Sequence, residues 1–165
     1  MKNKLFVSIS LMLFCIFCHA DDKQNLNKTI QLYSSLTKDL KIKSISAFKL
    51  KKELSEGTKI VLIDAREPKE YKVSKLPGAI TKSEFEKNPQ KYFDKKIVVY
   101  CTVGYRSAKF CSGLKNKNVF NLEGGVLAWS HFGGEFTHDG KTTSKVHTYS
   151  KEWNFLNSKY EAVYE

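Results

Sequence analysis

IVVYCTVGYRS, residues 97–107, settles what kind of sheet this chain builds. Its opening run, 97–101, is uncharged with no polar alternation, the pattern of a strand buried on both faces. A loop containing Gly104 follows, and from about Ser107 to 115 the texture is helical. A doubly buried strand feeding a helix is half of a crossover unit, and such units make parallel sheets. In a parallel sheet, ligands gather at the carboxyl ends of strands, where Cys101 sits. Cys101 could be a packing residue, half of a disulfide, a metal ligand or a nucleophile.

The flanking sequence repeats the alternation. KIVLIDA (59–65) is a second doubly buried strand, and EPKEY (67–71) starts a short helix with Pro68 in its first turn, where a missing N–H does least harm. Residues 42–46 form a first short strand and 47–56 a helix stopped by Gly57. LPGAI (76–80) is a turn into another strand, 83–93 a helix, and 119–123 the last strand. Upstream, Leu26, Ile30, Tyr33, Leu36 and Leu40 recur at helical spacing over 24–40 and predict an amphipathic helix packed on the domain. Downstream, Asp139-Gly140 marks a hairpin turn, and Trp153, Phe155, Tyr160 and Tyr164 form an aromatic tail over an edge or end of the sheet. The expected architecture is α/β: a parallel sheet flanked by helices, with an N-terminal helix (21–41), a central domain (42–134) and a C-terminal hairpin extension (135–165).

Residues 1–20 read differently. Lys2 and Lys4 precede 13 uncharged residues, 5–17, and Cys18-His19-Ala20 comes before Asp21-Asp22. Basic, apolar and small in that order is a secretory signal, and the apolar part is short of the roughly 20 residues a membrane span needs. Cleavage after Ala20 is favoured over lipid attachment at Cys15 or Cys18, since Phe14 and Phe17 stand where a small residue is expected, and over an uncleaved anchor. The expected location is periplasmic or secreted, with no stable membrane anchor.

Cleavage would leave 26 basic residues against 17 acidic, a formal charge of +9 spread along the chain without a basic block. Nucleic acid is therefore not an expected partner; a solvated lysine surface explains the excess before attraction of small anions does. Cys101 and Cys111 would be the remaining cysteines, too few for a disulfide framework, and with three scattered histidines they suggest no metal site.

The loop after Cys101 suits a nucleophile. Gly104 lets the backbone turn sharply, so successive N–H groups can face the sulfur as an anion-binding nest, reinforced by the start of the next helix. The guanidinium of Arg106 is nearby, and all three effects favour an anionic sulfur.

LIDAREPKEY (62–71), LPGAI (76–80), YCTVGYRS (100–107) and LEGGVLAW (122–129), in this order and at these spacings, make the chain resemble a single rhodanese-like sulfurtransferase domain over about 42–134. The resemblance implies a persulfide on Cys101, formed from a small anionic sulfur donor such as thiosulfate and passed to a thiol or cyanide-like acceptor, with a protein acceptor as a further partner. It implies no cofactor. Arg106 would bind the donor anion, Thr102 would add a hydroxyl, Val103 and Gly104 would contribute loop amides, and Tyr105 would wall the entrance. Related folds use a cysteine loop for phosphate with five residues between Cys and Arg; here there are four, which argues against a phosphatase. The other reading is a non-catalytic binding or sulfur-carrier module of the same fold.

The remaining candidates have plainer readings. Arg66 is placed near the site mouth or, more simply, in a surface salt bridge with Glu70 at i+4. Asp64 and Glu70 are structural, Trp129 and Phe132 are core, and Cys111 is a small buried hydrophobe before it is a resolving thiol. His131, His138 and His147 are ordinary surface or hairpin residues.

Overall fold

The computed structural model describes residues 3–116 and 118–164, and for 3–19 the helical backbone alone. The side chains of residues 1–19, all of the expected export signal but Ala20, therefore lie outside the described residues.

The uncharged runs become the centre of a five-stranded sheet of order β1-β5-β4-β2-β3: β1 is Ser44–Ile45, β2 Ile60–Asp64, β3 Ile80–Thr81, β4 Lys96–Tyr100 and β5 Val119–Leu122. Every pairing in it is parallel. Side chains alternate across a strand, so a run without polar residues feeds two cores at once. Leu62, Val98 and Tyr100 pack with Tyr33, Leu50, Val126, Leu127 and Trp129 on one face. Ile63, Ile97 and Val99 pack with Phe85 and Cys111 on the other. Asp64 lies beside Tyr100 in register, so both strand ends reach the same edge.

The helices are α1 (Asn3–Thr37), α2 (Ala47–Ser55), α3 (Pro68–Val73), α4 (Lys82–Lys87), α5 (Tyr105–Gly113) and α6 (Gly125–His131). Their starts follow local chemistry. The Ser46 hydroxyl accepts the Lys49 N–H at the head of α2, and Thr81 with Glu84 closes a capping box on α4. The helix expected over 83–93 is divided: Pro89 disfavours helical backbone at Asn88, so α4 ends at Lys87 and a 3-10 turn covers Pro89–Tyr92. α6 has no counterpart in the sequence reading, because Gly124-Gly125, its N-cap and first residue, look like a breaker.

α1 packs on the domain as expected. Thr29 and Tyr33 are buried, and the Asp22 carboxylate accepts from the Ser158 N–H (2.7 Å) and Asn157 Nδ2 (2.8 Å), tying the helix to the C-terminal segment.

Beyond α6, Asp139 (φ 47°) and Gly140 (φ 76°) form the turn between antiparallel β6 (Thr137–His138) and β7 (Lys141–Thr142). That is the expected hairpin; beyond it the chain makes a second strand pairing that the aromatic pattern did not announce. β8 (Lys145–His147) pairs in parallel with β9 (Glu161–Val163), and the strap between them carries Tyr149 and a 3-10 turn at Lys151–Trp153.

Candidate active site

Cys101 directly follows β4 and is buried. The six residues from Cys101 to Arg106 curl around its sulfur, with three of their carbonyls anchored outward. The Cys101 carbonyl accepts the Val126 N–H (3.0 Å), and the Thr102 carbonyl accepts the Leu127 N–H (3.2 Å). The Gly104 carbonyl accepts Asn121 Nδ2 (2.9 Å) and the Ala108 N–H (3.1 Å). A trans peptide points its N–H opposite its C=O, so the amides after these carbonyls point away from α6 and Asn121. The Gly104 N–H donates to Cys101 Sγ at 3.1 Å.

Two glycines make this curl possible. Gly104 has φ 102°, and a Cβ there would meet the Tyr33 ring at 2.8 Å; α1 thus presses on the back of the loop. Gly125 has φ 54° and lies so close beneath the loop that a Cβ would stand 2.2 Å from the Cys101 carbonyl oxygen.

Arg106, at the first turn of α5, does not stand free. Its Nη1 and Nη2 donate to the two oxygens of buried Glu70 at 2.6 and 2.7 Å, and Nη2 also reaches Thr102 Oγ1 at 3.0 Å. Thr102 in turn donates to Glu70 Oε1 at 2.8 Å. Burial works against the Arg106 charge, but Glu70 and the nearby Cys101 sulfur outweigh it and push its pKa well above the usual arginine value. Burial would likewise raise the Glu70 pKa, yet hydrogen bonds from Arg106, the Glu67 N–H and Thr102, with the Arg106 charge, hold it at about 2.

This sets an acid limit. The folded pKa of Glu70 is below its unfolded value of about 4.3, so its stabilisation is complete above that pH and lost as pH falls towards about 2. Glu70→Gln is expected to be less stable at neutral pH and to show a flatter loss of urea midpoint over this window. Parallel loss in both proteins would contradict the assignment.

Thr102, Val103, Tyr105 and Arg106 line the pocket over Cys101, which has a volume of about 280 Å³, while Gly104 lies behind the sulfur and off the lining. Tyr149 and Trp153, from the strap, complete the wall. Neither was legible as a site residue, since nothing in their local spacing links them to Cys101.

Three expectations are corrected. Arg66 is neither at the mouth nor paired with Glu70 on the surface; it is buried, with Nη2 on Asp64 Oδ2 (2.7 Å) and the Ser74 carbonyl (2.5 Å). Asp64 also accepts the Tyr100 hydroxyl (2.8 Å), so the pair stitches β2, β4 and the turn before Leu76 together. His147 is fully buried, with its Nδ1 accepting the Tyr149 N–H at 3.0 Å, and burial lowers its pKa. His131 is partly buried and bonds the Phe155 carbonyl, whereas His138 stays exposed.

Cys111 fits its plain reading. It lies in the core with Ile63 and Phe85, and burial, with Cys101 nearby, pushes its thiol up to about 12. Cys101 and Cys111 are both free thiols. No cluster of metal-ligating side chains occurs among the described residues.

A sulfurtransferase of Allochromatium vinosum is 30% identical over 104 residues, covering 56% of this chain and 92% of that protein. A probable adenylyltransferase/sulfurtransferase MoeZ of Mycobacterium tuberculosis is 34% identical over 98 residues, and a tRNA uridine(34) hydroxylase of Bdellovibrio bacteriovorus 38% over 88. The chain spans only 24% and 25% of those two proteins. The crystal structure of a thiosulfate sulfurtransferase from Pseudomonas aeruginosa shares the fold, with a TM-score of 0.53 and 23% identity over 69% of this chain and 23% of that one. The family model for the rhodanese-like domain matches residues 46–132, from the cap of α2 to the end of α6. The chain belongs to the rhodanese-like domain family.

Proposed function

We propose that the protein is an exported sulfurtransferase that carries sulfane sulfur on Cys101, from a donor such as thiosulfate to a thiol or cyanide-like acceptor. The thiolate attacks the outer sulfur of the donor; a sulfur–sulfur bond forms at Sγ as the donor's own breaks, and its electron pair leaves with sulfite. The acceptor then attacks the outer sulfur of the persulfide and restores the thiolate, so one transfer becomes two displacements. The Gly104 N–H at 3.1 Å from Sγ, in a loop whose carbonyls are held outward, is the observation that carries this reading. Such fixed donors stabilise negative charge on sulfur without reorganising during the reaction.

Arg106 serves this chemistry mainly as a fixed dipole with Glu70, which anchors the loop's far end to α3. Thr102 shares that anchor. Thiocyanate production from thiosulfate and cyanide is expected from the wild type and lost in Cys101→Ser. Equal turnover by the two would sink the proposal, while inactivity of both would favour a binding module. Export is proposed on the basic, apolar, small order of residues 1–20. A secreted chain beginning at Asp21 by mass would support it, and one retaining Met1 would not.

A further inference from the structure

Tyr149 and Trp153 lie beyond the residues that define the family, yet both stand over the nucleophile. Their placement is strongly determined. Tyr149 has φ 74°, a left-handed conformation that a bulky residue adopts only when its surroundings impose it. The surroundings do so: its N–H is held by buried His147 at the end of β8, and the preceding Thr148 N–H donates to the Val163 carbonyl at 2.8 Å. The Tyr149 ring, half exposed, tilts against Trp153 with centroids 5.1 Å apart and lies 5.5 Å from the Arg106 guanidinium carbon.

Three aromatic side chains, Tyr105, Tyr149 and Trp153, therefore line the pocket over Cys101. The cation beside it already holds a buried carboxylate through two hydrogen bonds. A small dianion such as thiosulfate would shed its water against rings and a compensated charge, which is unfavourable. A flat apolar group would stack on the same rings. At about 280 Å³ the pocket is near the lower end for small-molecule sites.

We infer that Tyr149 and Trp153 determine specificity, selecting an organic sulfane-sulfur donor whose leaving group is flat and apolar. This rests on the sulfurtransferase reading above. With an arenethiosulfonate, the Cys101 thiolate takes the outer sulfur, the bond between that sulfur and the sulfonyl sulfur breaks, and its electron pair departs on the arenesulfinate. Charge is conserved and no oxidant is needed.

The test compares Cys101 persulfide formation from benzenethiosulfonate and from thiosulfate, in the wild type, Tyr149→Ala, Trp153→Ala and Trp153→Phe. Because the two donors differ in intrinsic reactivity, the readout is how each rate changes on substitution. The alanine variants are expected to lose about tenfold or more with benzenethiosulfonate, within the ~10–200-fold range of apolar pocket discrimination, and little with thiosulfate. Trp153→Phe is expected to restore most of the loss. Equal change with both donors, or none, would overturn the assignment while leaving sulfur transfer intact. Failure of both donors to load the wild type would overturn the transfer reading and this one together. Trp153→Phe and Tyr149→Ala keep the test decisive if Trp153→Ala does not fold.

Discussion

Gly125→Ala is expected to lower sulfur transfer by about a hundredfold or more and to destabilise the fold by roughly 3 kcal/mol. The added methyl would stand 2.2 Å from the Cys101 carbonyl oxygen and 2.5 Å from that of Thr102, both backbone atoms that cannot swing aside. Its φ of 54° adds strain for any residue with a Cβ. Relief requires the loop to lift by about 1 Å off α6, a displacement of the size that costs catalysis two orders of magnitude. Lifting also breaks the bonds from the Val126 and Leu127 N–H groups that keep the loop carbonyls outward. Turnover and urea midpoint measured on the same preparation check both parts. Near-wild-type activity would mean that the contact with α6 does not shape the loop.

Arg66→Met carries the second large effect, on stability. Arg66 and Asp64 are both buried, and the carboxylate keeps only the Tyr100 hydroxyl and the Arg66 N–H once the guanidinium is removed. Removing one partner of a buried ion pair costs about 3–5 kcal/mol, because the survivor is left charged in a low dielectric. For a chain of this size, that lowers the thermal midpoint by roughly 10 °C. Asp64→Leu combined with Arg66→Met removes both charges and is expected to recover much of the loss. Thermal melts of the single and double variants decide the matter; a single-variant loss below about 1 kcal/mol would place the pair outside the stabilising network.

The sheet was legible because its central strands, 60–63 and 97–99, carry no polar residue, and only burial on both faces tolerates that. Cys101, Gly104 and Arg106 were legible because the site's inner ring is one continuous stretch of chain. What failed was pairing across the fold. Arg66 and Glu70 have i,i+4 spacing, but Arg66 precedes α3, so the spacing does not put the two on one helical face. Glu70 turns inward to Arg106, 36 residues away, and Arg66 back to Asp64. The break at Pro89 was available from the residue itself, since proline inside a helix removes a hydrogen bond. Trp153 was legible only as part of an aromatic tail, and nothing placed it, Tyr149 or His147 near the site: a strap held by a three-residue parallel pairing has no periodicity to read.

The most direct test is intact mass after incubation with excess sulfane donor, thiosulfate or benzenethiosulfonate, for the wild type, Cys111→Ser and Cys101→Ser. A gain of one sulfur atom, about 32 Da, is expected on the wild type and on Cys111→Ser, removed by cyanide, with none on Cys101→Ser. A gain that persists in Cys101→Ser, or its absence from the wild type with both donors, would contradict sulfur transfer through Cys101.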